Sequence, residues 1–391
     1  MIFHMQPSVL IAKIRIQIVV PSKIACKRLN YNCFKERLAH FNGTVVMQDR
    51  NFSLDVIRAF AILFVVANHS IEMVYPFAGK DGNVEPFCCM PVIYQIFQFV
   101  IFTTGRLGVP LFFMLTGYLL VTRDFTTKDK IKKFYRKNFL GLILVWYAWV
   151  FIYNVFFLVF EQKPFDIKDI FLELLFVKKI PLMHTWYMKE IIIIYSFLPL
   201  LSNVVKKTSP IIFVVGILFI SIVNSLFDGI YYLVFFVNKL MYIAYVIAGY
   251  YFAVFKTYPN RHSCLAFFII GFVTIVGWQI YSYHNMNPTN VWYTNPLHYL
   301  VSLSLSSLLF RRNWEKGHFA PYIEWISRTS FGIFLLHVPI MKIIISIIPS
   351  LKDVEINNVL SLYCISFVSS SIIIMLITKI PIIGKTIFYI K

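Results

Sequence analysis

From Leu54 onward, apolar runs of membrane length alternate with short polar loops. A helix needs about 20 apolar residues to cross the hydrocarbon core. On that criterion the pattern predicts ten transmembrane helices, at about 54–75, 93–121, 138–160, 185–203, 210–227, 230–255, 264–282, 296–310, 330–349 and 358–378. The second run is over-long and carries Thr103, Thr104, Gly105 and Arg106 near its middle, so a tilt or a break is expected there. The eighth is the shortest. The expected fold class is all-α, a polytopic membrane bundle of about ten helices. The chain shows no second domain over 47–391 and no repeat of fixed period.

Residues 1–46 break the pattern. They are basic (Lys13, Arg15, Lys23, Lys27, Arg28, Lys35, Arg37) and only patchily apolar. Lys13, Arg15 and Gln17 interrupt the run from Val9 to Val20, which is too short and too charged to span. It also lacks the long apolar core and small-residue cleavage site of a signal peptide. The segment is either a cytoplasmic extension or translated upstream sequence. Met47 opens a conventional polar lead into the first helix, which favours the second reading.

Composition agrees with the membrane class. The chain is 59% hydrophobic and only 14% charged, whereas a soluble domain is about a quarter charged. The formal net charge of +19 would suggest nucleic acid in a soluble protein. Here the cations collect in every second loop, so no nucleic-acid partner is expected. The loop after the second helix holds Arg123, Lys128, Lys130, Lys132, Lys133, Arg136 and Lys137. Later basic loops hold Lys206 and Lys207, then Lys256 and Arg261, then Arg311, Arg312, Lys316 and Arg328. The intervening loops are acidic, mixed or uncharged, beginning with Glu72, Asp81 and Glu85. The positive-inside rule then puts both termini in the cytoplasm. The cysteines form no C-x-x-C or Cys/His spacing, so neither a disulfide framework nor a metal site is expected.

Ionisable groups inside spans are costly and therefore functional candidates. Arg58 and His69 lie eleven residues apart in the first helix. At about 100° per residue that is three turns plus roughly 20°, so both fall on one face, about 16 Å apart along the axis. A fixed cation near the cytosol would meet an anionic donor, and a titratable base lies deeper. Arg106 falls near the centre of the second span. Its guanidinium cannot deprotonate, so it needs a polar cavity or an anionic partner, with Asp55 or Glu190 as structural candidates. His337 sits early in the ninth span. His184 and Trp186 mark the outer end of the fourth, and Glu190 follows one turn further in. His284, His298 and His318 receive no role.

The residues from Leu54-Asp55-Val56-Ile57-Arg58-Ala59 through His69-Ser70 resemble the opening of the acyltransferase-3 family, an Arg or Lys, then ten residues, then His. Four further blocks follow in order. Arg106 through Tyr118 is similar to the second-helix signature, with Thr116 where Ser is usual. Phe134-Tyr135-Arg136-Lys137 resembles the basic motif before helix three, with Asn138 where another basic residue is common. His184-Thr185-Trp186-Tyr187, with Tyr195 and Pro199, resembles an H-x-W-[FY]…Y…P block. Ser330 through His337 resembles S-x-G-x-Y-L-x-H, with Phe334 for Tyr. The likeness covers about 50–378.

The resemblance implies a membrane acyltransferase of a bacterial cytoplasmic membrane. An acyl group, usually acetyl from acetyl-CoA as donor substrate, would pass to a hydroxyl of a carbohydrate or lipid-linked glycan, with no bound cofactor. It assigns catalysis to His69 and Arg58, and donor or substrate contacts to Arg106, Arg136, His184, Trp186, Glu190 and His337. His69 would act as general base on the acceptor hydroxyl or as transient acyl carrier. The alternative expectation is a transporter or flippase for a lipid-linked sugar, which buried His and Arg along a path would also serve.

Overall fold

The computed structural model describes residues 51–78, 82–209, 231–256, 258–380 and 387–388, with six scattered positions in 212–222. Residues 1–46, and most of the fifth predicted helix, lie outside the described residues. In chain order the elements are α1 (Phe52–Val74), α2 (Glu85–Cys88), α3 (Val92–Arg106) and α4 (Gly108–Thr116). Next come α5 (Lys128–Phe134), α6 (Leu140–Phe160), α7 (Ile167–Leu174) and α8 (Trp186–Lys207). Then follow α9 (Tyr231–Val254), α10 (Arg261–His284), α11 (Pro296–Phe310), α12 (Ala320–Ile347) and α13 (Ile356–Ile377). None of the described residues forms a strand.

Among the described residues, seven helical stretches are long and apolar enough to cross a membrane: α1, Val92–Val121, Lys128–Phe160, α8, α10, α12 and α13. Pro296–Phe310, and Leu240–Val254 within α9, are shorter apolar helices. The outer faces of the peripheral helices carry exposed Phe267, Ile270 and Val273 on α10, and Leu360, Val368 and Ile372 on α13. Such surfaces suit lipid and not water. The protein is a polytopic helical membrane protein.

Three expectations need correction. The third span begins at Lys128 and not at 138, because the basic stretch continues the helix through a π-helical turn at Tyr135–Phe139. The ninth begins at Ala320, so Arg328 is helical and not in a loop. The stretch 161–184 contains α7, whose N-terminus is capped by Asp166 Oδ1 accepting from Lys168 N at 2.8 Å. Its Glu173 accepts from Asn154 Nδ2 at 2.7 Å, which folds α7 back against α6.

The expected break in the second span falls at Leu107. Pro110 explains it. Proline has no N–H for the Arg106 carbonyl, and its ring crowds that carbonyl. The chain therefore stops α3 at Arg106 and restarts as α4, ending in a π-helical turn at Gly117–Val121.

α1 is the hub. It is mostly buried and packs on α12, α3, α4 and α13. Asn51 caps it, its Oδ1 accepting from Ser53 N at 3.0 Å. Close crossings of α1 and α3–α4 depend on two glycines. A Cβ on Gly105 would stand 2.5 Å from Asn68 Cβ, and one on Gly108 would stand 2.5 Å from the Ala61 carbonyl oxygen. These glycines flank Arg106 and bring its backbone against α1.

The crossing of α4 and α9 is tighter still. A Cβ on Gly249 would collide with the Met114 carbonyl, and one on Gly117 with the Val246 carbonyl. Neither obstacle is a flexible side chain. Gly249→Ala should cost at least the about 1–3 kcal/mol typical of overpacking. The expected result is a smaller monodisperse fraction in detergent by size-exclusion chromatography. Gly277→Ala, with nothing within 4 Å, should leave that fraction unchanged.

Candidate active site

The last two turns of α1 carry the central pair. His69 and Glu72 are three residues apart, a spacing that puts them on one helix face. His69 Nδ1 lies 2.8 Å from Glu72 Oε2. A carboxylate only accepts, so the imidazole donates through Nδ1–H, and in its neutral form Nε2 is free to accept. Arg106 Nη2 donates to the other oxygen, Glu72 Oε1, at 3.2 Å. The partner of Arg106 is thus Glu72, and neither Asp55 nor Glu190. Glu72 belongs to α1 and not to the loop that follows it.

Arg106 is held on its faces as well. Its guanidinium carbon lies 4.1 Å from the ring centre of Phe102 and 4.1 Å from that of Trp292, with Tyr293 at 5.2 Å. Only 4% of the residue is exposed. Cation–π contacts of this kind are strengthened by desolvation. One guanidinium nitrogen is thus tied to Glu72 while the group lies over aromatic rings, which holds both Arg106 and the Glu72 carboxylate in place.

His184 and His337 form a wall behind His69. The His69 and His337 ring centres are 5.2 Å apart, those of His184 and His337 5.1 Å, and those of His69 and His184 6.4 Å. His337 Nδ1 donates to the Ile333 carbonyl at 3.0 Å. Tyr153 gives its one hydroxyl hydrogen to the Leu335 carbonyl at 2.8 Å. Its 3.0 Å contact with His184 Nε2 must then be a donation from the imidazole to the phenol oxygen. All three imidazoles are accordingly set as single tautomers by acceptor groups of the protein. Phe334 packs edge-on against His184, at 5.2 Å.

His69, Glu72 and Arg106 open onto a cleft of about 450 Å³. Its other walls include Trp186, Glu190, Tyr242, Trp292 and Tyr293, with Lys179 and Met183 at the rim. Trp186 lies 5.2–5.6 Å from the Tyr293, Tyr242 and Trp292 rings. The result is an apolar, aromatic lining with a few polar groups converging at one end, a common form of small-molecule site. Among the described residues, no group of three or more His, Cys, Asp or Glu is arranged to hold a metal ion.

The structure therefore brings together His69, Arg106, His184, Trp186, Glu190 and His337. Two predicted residues lie elsewhere. Arg58 Nη1 donates to Ser327 Oγ at 3.0 Å and stands 3.6 Å from Asp55 Oδ1, to which Ser327 also donates. Ser327 and His337 are both on α12, so Arg58 and His69 face the same neighbour, as their spacing predicts. Arg136 is exposed on the π-helical turn before α6 and does not line the cleft. The sequence left Asp55, Glu72 and Glu190 as carboxylates that could reach His69, and the structure selects Glu72, at i,i+3. The sequence reading missed Tyr153, Tyr242, Trp292 and Tyr293, for which no motif gave a signal.

No curated protein and no solved structure matches the chain. A family model described as an acyltransferase domain matches residues 51–379, which include every element of this site. With His69, Glu72 and the cleft all inside the matched segment, the chain belongs to the acyltransferase-3 family of membrane acyltransferases.

Proposed function

We propose that the protein moves an acyl group, in the first instance acetyl, from an acyl-CoA thioester to a hydroxyl of a carbohydrate or lipid-linked glycan held in the aromatic cleft. The observation that carries this reading is the Glu72–His69 pair with its bare Nε2 at the cleft. His69 Nε2 takes the acceptor's hydroxyl proton as that oxygen attacks the thioester carbonyl. The new C–O bond forms, the C–S bond breaks, and the departing thiolate recovers the proton from His69. Transfer through an acyl group carried on Nε2 uses the same geometry and gives the same products. The clustered aromatic rings suit the apolar faces of a sugar, and Glu190 and Lys179 offer its hydroxyls a carboxylate and an ammonium. The family membership favours this over a transporter, for which no separate observation speaks.

The donor enters at the Arg58 end in this reading, from the cytosol, where the basic loops lie. Arg58 holds a coenzyme phosphate. Arg58→Ala should weaken coenzyme A binding by about ten- to a hundredfold, since a charge-assisted contact contributes roughly 1.5–3 kcal/mol. His69→Ala should bind the coenzyme almost as tightly as wild type. Calorimetric titration of the purified proteins separates the two. A wild type that does not bind coenzyme A would end the donor assignment.

The topology is tested separately. Reporter fusions after Lys207 and Lys391 should both report cytoplasm, and a signal from the opposite side at either position would overturn the orientation.

A further inference from the structure

The stretch between α6 and α8 turns back along α6 instead of leaving it. Glu173 on α7 is bonded to Asn154. Phe176, just beyond α7, stacks on Trp146, with ring centres 5.0 Å apart and planes 13° from parallel. Trp146 lies about 21 Å back along α6 from its end at Phe160, at about 1.5 Å per residue. The hairpin therefore reaches well inside the span. The amides of its turn are satisfied within it. Phe176 N donates to the Glu173 carbonyl at 3.0 Å, and Val177 N and Lys178 N donate to the Leu172 carbonyl at 2.8 and 3.1 Å. This pattern closes a helix around a left-handed residue, usually glycine. Here that residue is Phe176, with φ 58°, and its stack on Trp146 holds it in place.

The hairpin has two unlike sides. Ile167, Phe171 and Leu175 recur at every fourth residue, which sets them in one stripe along α7. They are 78%, 60% and 51% exposed. Asp169 lies on the far side of the helix from Ile167 and pairs with Lys178. Lys179 follows at the rim of the cleft. The apolar stripe continues onto α6. Phe165 stands 5.9 Å from Phe151, edge to face, and Phe151 shares an exposed apolar face of α6 with Leu144 and Leu158. That face belongs to a helix long and apolar enough to cross a membrane. Backbone that enters the hydrocarbon must satisfy its own polar groups, and the amides of this turn do so.

We propose that α7 and its turn form a re-entrant amphipathic hairpin. Its Ile167–Phe171–Leu175 stripe docks into the acyl chains of the bilayer, and its Asp169–Lys178 side faces the mouth of the cleft. Lipid then borders that mouth, on the side from which a lipid-linked acceptor would arrive. This last consequence rests on the acyl-transfer reading; the docking itself does not, and its test uses no activity. Phe171→benzoylphenylalanine, Phe151→benzoylphenylalanine and Asp169→benzoylphenylalanine, each made in the full chain by codon suppression, carry a photoreactive ketone. The three sites are exposed or half-exposed, so the larger side chain spares the core. Each purified protein is reconstituted in vesicles of phosphatidylethanolamine and phosphatidylglycerol, irradiated and weighed intact by mass spectrometry. The Phe171 variant should gain phospholipid adducts to the same extent as the Phe151 variant, and the Asp169 variant next to none. Few adducts at Phe171 beside full labelling at Phe151 would put α7 in water. A crosslink from Phe171 to a second copy of the chain would make the stripe an interface between subunits. Equal lipid labelling at Asp169 would leave the hairpin without a polar side. Each of these three results overturns the proposal.

Discussion

Glu72→Gln lowers the acyl-transfer rate by about 10²–10⁴-fold, the range over which loss of a properly set general base acts. The carboxylate accepts from His69 Nδ1 and from Arg106 Nη2, one on each oxygen. An amide has only one acceptor oxygen. If that oxygen faces Arg106, the amide nitrogen faces His69 and donates to Nδ1. The imidazole proton then moves to Nε2, and the base facing the cleft is lost. If the amide turns round, its NH2 meets the Arg106 guanidinium, donor against donor, in a buried site. Glu72→Asp keeps the charge but withdraws it by one methylene, so it should retain more activity than Gln. The assay is the initial rate at saturating donor, with protein levels matched by immunoblot. A Glu72→Gln enzyme within a few-fold of wild type would show that His69 does not depend on this carboxylate.

His69→Ala is expected to abolish transfer, at about 10³-fold or more, while the protein inserts and accumulates. His69 is only 7% exposed. His184 and His337 are each bonded elsewhere, to Tyr153 and to the Ile333 carbonyl. Neither lines the cleft, so residual activity from a substitute imidazole should be small. His69→Gln keeps much of the volume and a hydrogen-bonding group. It should fold as well as wild type and remain inactive, which separates lost chemistry from lost structure.

The bundle was legible because its signal is coarse. Long apolar runs located α1, α8, α10, α11 and α13 to within about four residues at each end, since a single apolar run in lipid satisfies its own backbone only as a helix. The ends read poorly where helices extend past the apolar run, as at Lys128 and Ala320, because charge there marks solvent and not the end of hydrogen bonding. The site was half legible. Arg106 and His69 stood out because a charge within a span demands a reason. Glu72 was one of three carboxylates, with Asp55 and Glu190, that could reach His69, and only the fold selects it. Trp292 and Tyr293 lie in an uncharged loop, and only the fold reveals that they stack on Arg106 and close the cleft. Asn138 was visible as a departure from a basic motif. Its bond to Arg123, fifteen residues earlier, was not.

The central claim is that acyl groups leave a coenzyme A thioester and reach a glycan hydroxyl through the His69 base. Membranes carrying the wild type or His69→Gln, incubated with acetyl-CoA labelled in the acetyl group, test it most directly. The account predicts that wild-type membranes move label into a carbohydrate fraction as an ester released by mild alkali, with one free thiol appearing per acetyl transferred. His69→Gln membranes should do neither. Label transferred equally by both, or wild-type membranes that leave the thioester intact, would contradict it.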